Sequence, residues 1–69
     1  MKYVYELTRS NSDSNFGLFS SRKKAVETAE RMIEEGGQKV LTKNKTKWVT
    51  HVVSDEGVFY TITTIFLAD

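Results

Sequence analysis

Residues 2–8, KYVYELT, place Tyr3, Tyr5 and Leu7 on one side of an extended chain and Lys2, Glu6 and Thr8 on the other, with Val4 the exception. Period-two alternation rich in aromatic and branched residues predicts a β-strand. Arg9 to Asn15, RSNSDSN, predicts a polar loop, because Ser, Asn and Asp side chains compete for the backbone and favour turns. FGLFS predicts a short second strand folded back on the first. From Ser20 the period changes. Ala25, Val26, Ala29, Met32 and Ile33 recur at helical spacing and form one apolar stripe. Ser20 and Ser21 offer hydroxyl caps for the first turn, and Gly36-Gly37 supplies the left-handed residue that ends a helix.

After the helix come KVLT, a lysine-rich stretch, KWVTHVV, SDEG and VFYTITTIFLAD. SDEG between two β-rich runs predicts a type I turn closed by Gly57 in the left-handed region. That turn sets a register: Ser54 opposite Val58, Val52 opposite Tyr60, Thr50 opposite Ile62 and Trp48 opposite Thr64. One face of the hairpin then carries Trp48, Val52, Tyr60, Ile62 and Phe66. The other carries Val49, His51 and Val53 from one strand, and Phe59, Thr61, Thr63, Ile65 and Leu67 from the next. A slip of one residue would exchange the two sets. The predicted architecture is ββαββ, α+β class: a four-stranded antiparallel sheet with one helix on one face, to which KVLT can add a short fifth strand.

In this register Trp48 turns inward and packs under the helix near Ala29, Met32 or Ile33. Trp48→Ala would then cost about 3–5 kcal/mol, comparable with the whole stability of so small a domain. Lys43, Lys45 and Lys47 alternate to the side opposite Trp48, towards water.

The chain has 69 residues, enough for one domain, residues 1–69. At that size the core is thin. There is no cysteine and one histidine, so neither disulfides nor a zinc site can reinforce it. Absent cysteines in so small a protein predict a reducing, cytoplasmic setting. No apolar run approaches the roughly 18 residues that span a bilayer, and MKYVYELTR lacks the apolar segment of a signal peptide. A net charge of +1 does not by itself impose a partner.

Candidate chemistry is sparse. Gly17, Gly36, Gly37 and Gly57 match no phosphate-loop spacing. As a catalytic base His51 would need a nucleophile and an orienting carboxylate, and Asp55 and Glu56 in the adjacent turn are too generic to count. No catalytic residue, metal ligand, cofactor or small-molecule substrate is predicted, and a non-enzymatic protein is expected. Positive charge is concentrated in two places: Arg22, Lys23 and Lys24 at the helix start, and Lys39, Lys43, Lys45 and Lys47, which span nine residues without an acid. The first cluster faces the positive end of the helix dipole while Glu34 and Glu35 face the negative end, so charge placement costs the helix some stability.

FSSRKKAVETAERMIEE, Phe19 to Glu35, following a strand–loop–strand, resembles short uncharacterised α+β proteins of Gram-positive bacteria and their phages. There a phenylalanine and a serine cap open the single helix, often with an acid three residues on, where this chain has Lys23. The resemblance implies a small accessory protein, cytosolic or phage-borne; if it works by protein contact, a phage-borne protein would act on a host protein. It brings no catalytic residues.

Two functions are expected from the residues. One helix covers one sheet face only, so the face holding Val49, His51, Val53, Phe59, Thr61, Thr63, Ile65 and Leu67 is predicted to dock a protein partner or a second copy of the chain as a homodimer. The alternative is nucleic-acid binding through Arg22, Lys23 and Lys24 together with Lys43, Lys45 and Lys47, in the Lys39–Lys47 stretch. Trp48 decides between them. Buried, it leaves the lysines as solvated edge residues; exposed beside them, it favours nucleic acid.

Overall fold

A computed structural model describes residues 2–10 and 15–67. Its elements are β1 (Lys2–Arg9), β2 (Asn15–Phe19), α1 (Arg22–Glu35), β3 (Val40–Lys45), β4 (Val49–Ser54) and β5 (Phe59–Leu67). The strands form one antiparallel sheet in the order β2-β1-β5-β4-β3, and α1 packs on one face. The α+β class stands, but the topology is ββαβββ with five strands. The lysine stretch that the sequence presents as a loop is mostly β3, an edge strand paired to β4. Most of the predicted RSNSDSN loop lies outside the described residues.

The SDEG turn fixes the β4–β5 register as expected. Thr50 pairs with Ile62, Val52 with Tyr60, and His51 with Thr61. The Ser54 amide donates to the Val58 carbonyl, and Gly57 sits at φ 85°. The buried Ser54 hydroxyl ties off the turn by accepting from the amides of Glu56 and Val58.

Helix α1 begins at Ser21, whose hydroxyl accepts from the Lys24 amide. It ends in a Schellman motif: Gly37 at φ 81° donates to the Glu34 carbonyl, and Gln38 donates back to Ile33. The stripe Ala25, Ala29 and Ile33 is buried against Leu7 of β1, Val52 of β4, and Tyr60 and Ile62 of β5, with Tyr5, Phe19, Val26 and Met32 around them. Two alanines in that stripe let the helix approach the sheet closely, at the cost of a small core.

The helix covers only part of the sheet. Fourteen residues make about 21 Å of helix. Its last turn lies beside Tyr60 and Val58, and its first residue, Arg22, bonds to Thr64. From Val58 to Thr64 a strand runs about 20 Å, so the helix is used up by Thr64. Phe66, and Tyr3 paired with it on β1, lie beyond its N-terminus, on the helix side of the sheet but uncovered.

Position relative to this boundary sets the cost of truncation. Ile62, fully buried, should cost about 2–5 kcal/mol when changed to alanine. Phe66, half-exposed and tilted against Tyr3 at 5.5 Å, should cost about 1 kcal/mol. Urea denaturation of the two variants measures the difference.

Candidate functional site

Trp48 does not pack under the helix. β3 and β4 are joined by a two-residue tip, Lys47-Trp48, because Lys45 pairs with Thr50 and Thr46 closes on Val49. The Thr46 amide and hydroxyl both donate to the Val49 carbonyl, at 2.8 and 2.9 Å, and the Val49 amide donates to the Thr46 hydroxyl. The predicted pairing persists in part, since the Thr64 amide donates to the Trp48 carbonyl at 2.7 Å. The side chain, however, leaves the hairpin where the helix has already ended. Trp48 is 47% exposed, and its neighbours are Tyr3, with ring centroids 6.4 Å apart, and the Lys47 ammonium, 5.1 Å from the ring centre. The register was right and the burial wrong, because burial also depends on how far the helix reaches.

Arg22 joins this tip to the helix. Its guanidinium Nη2 donates to the Lys47 carbonyl at 3.0 Å and to the Thr64 hydroxyl at 3.2 Å, and the group lies 5.7 Å from the centre of the Tyr5 ring. Tyr3, Tyr5, Arg22, Lys47, Trp48 and Thr64 line a hollow of about 130 Å³.

Next to it, between the first half of α1 and edge strand β3, runs an open groove of about 710 Å³. Lys43 and Lys45 pair with Val52 and Thr50, so they stand on the helix side of the sheet. They do not point away from it, as simple alternation had suggested. The groove is lined by Arg22, Lys23, Lys43 and Lys45, with Glu27 and Glu30 on the helix wall and Val26 and Thr50 below. Lys43 is held by Glu30 at 3.1 Å. The two basic clusters of the sequence, far apart in the chain, therefore share one side of the molecule. The first turn of α1 contains no acid and its last turn no base.

The other sheet face gathers all eight residues predicted for it. Val49 pairs with Thr63, His51 with Thr61, and Val53 with Phe59, while Ile65 pairs with Val4 and Leu67 with Lys2. It is not one apolar patch. Thr8, Thr61, His51 and Asn44 lie in one cross-strand row, and Glu6 pairs with Thr63 in the next. This polar band separates Val53 and Phe59 from Val4, Ile65 and Leu67. The His51 ring meets the Thr61 hydroxyl at 3.3 Å and Phe59 edge-on at 5.7 Å. Among the described residues no three His, Cys, Asp or Glu side chains cluster as a metal site, and no helix is long and apolar enough to cross a membrane.

Tyr3, Phe66 and Thr50 were not singled out from the sequence as site residues. The signal for the two aromatics was there, in a helix several ångströms shorter than the strand that carries Phe66. For Thr50 there was none.

No protein-family model, curated protein or solved structure matches the chain.

The exposed tip predicts that Trp48→Ala stays folded, losing about 1 kcal/mol for its contacts with Tyr3 and Lys47, and that wild-type Trp48 fluorescence is readily quenched by acrylamide. Thermal unfolding and quenching measure both.

Proposed function

We propose that the protein is a non-catalytic binding module for single-stranded nucleic acid. The observation that supports this most is Trp48, half-exposed beside Tyr3 and Lys47, on the same side of the sheet as Arg22, Lys23 and Lys45. Sequence-tolerant single-strand binders pair such aromatic platforms with a basic track, because every base offers a π-face and every linkage a charge. A single strand can lay a base on Trp48 and carry its backbone into the groove along β3. Stacked duplex bases offer no free face for the tryptophan. A cytoplasmic, phage-borne accessory role, as the resemblance of Phe19–Glu35 implies, belongs to the same proposal.

Protein contact through the open sheet face, including a homodimer, is the second reading. Phe59 and Leu67, 39% and 40% exposed, favour it. The polar band of Thr8, Thr61, His51 and Asn44 divides that face into two smaller patches, so it ranks below the aromatic–basic end.

Fluorescence anisotropy with a labelled oligothymidylate tests the proposal. Binding should quench Trp48 and weaken with salt, log K falling by about 0.7 per phosphate contact for each unit of log salt. Trp48→Ala should weaken it by about 1–3 kcal/mol, Lys47→Ala should lower the salt slope, and the neutral change Phe59→Ser should leave binding unaltered. No binding to any single strand at low salt would overturn it.

A further inference from the structure

Among the described residues, two polar atoms on this side of the molecule are buried without a hydrogen-bond partner: Oγ1 of Thr50 and Nε of Arg22. Thr50 is only 4% exposed, and an unpartnered buried hydroxyl is destabilising compared with an apolar group of the same shape. Valine would fill the same space without that penalty. Both residues line the groove between α1 and β3. Lys45 is the cross-strand partner of Thr50, and Lys23 lies on the facing helical turn. A helix start with basic side chains and no acid is likewise unfavourable on its own and is relieved by an anion. Glu27 and Glu30 oppose an anion here, but Lys43 already answers Glu30. Arg22, Lys23 and Lys45 then face Glu27 alone.

We infer that this groove is a phosphate subsite, in which Arg22, Lys23 and Lys45 meet the charge and a phosphate oxygen accepts from the Thr50 hydroxyl, which is covered in this structure and is reached once a side chain over it shifts. For its natural ligand the inference rests on the nucleic-acid reading. Thr50 and Trp48 are two residues apart on one hairpin, about 7 Å along a strand, which would let one nucleotide fill both the groove and the aromatic hollow.

The test uses inorganic phosphate and pyrophosphate, titrated into isotope-labelled protein at constant ionic strength with chloride as control. Saturable amide shifts centred on Lys23, Lys45 and Thr50 are expected with both phosphates and not with chloride. Thr50→Val should melt no lower than wild type and bind pyrophosphate about tenfold more weakly, a split that a purely structural threonine would not give. Absent shifts in the groove, or wild-type pyrophosphate affinity in Thr50→Val, overturn the subsite whatever oligonucleotides do. Pyrophosphate binding in a protein that ignores oligothymidylate would support the subsite and sink the single-strand reading, leaving a small phosphorylated ligand as the occupant.

Discussion

A helix of fourteen residues reaches about 21 Å, and the nine-residue strand β5 beneath it reaches about 30 Å. The rest of the structure follows from that mismatch and from where the helix is anchored. The Schellman turn at Gly36-Gly37 and the contacts of Ile33 with Tyr60 pin its C-terminal end near the SDEG turn. All the uncovered length therefore falls at the other end, where Tyr3, Trp48 and Phe66 meet. Had the helix run one turn longer at its start, Trp48 would be core and the lysines of β3 only the guard of a sheet edge.

The same end collects features that do little for stability. Basic residues occupy the helix start against its dipole, Thr50 hides an unsatisfied hydroxyl, and three aromatic rings remain in partial contact with water. Each is tolerable alone. They meet on one side of a 69-residue protein whose core, among the described residues, holds seven buried hydrophobic side chains, and their grouping there is what the proposed binding role would account for. Arg22 keeps that surface in register, since one guanidinium ties the helix start to both the Lys47-Trp48 tip and β5.

Local chemistry made much of this fold legible in the sequence. The serine cap, the glycine pair, the Ala25–Ala29–Ile33 stripe and the SDEG register depend on residues close together in the chain, and each appears where the pattern placed it. Strand β3 was obscured because LTKNK has little apolar alternation; as an edge strand it needs none, with the bulge between Val40 and Thr42 and the lysines providing its edge character. Trp48 was misjudged because alternation fixes the face of a side chain but not whether anything lies above it. The meeting of Arg22 and Lys23 with Lys45 is a tertiary fact, set by the packing of α1 beside β3, and no spacing in the chain encodes it.

We propose that the uncovered aromatic–basic end, and not the open sheet face, is the binding surface. Photocrosslinking with a single strand carrying 5-bromouracil, followed by mass-spectrometric mapping of the attachment point, tests it most directly. Adducts on Trp48 or Tyr3 are expected. Adducts confined to the opposite face, at His51 or Phe59, would contradict it.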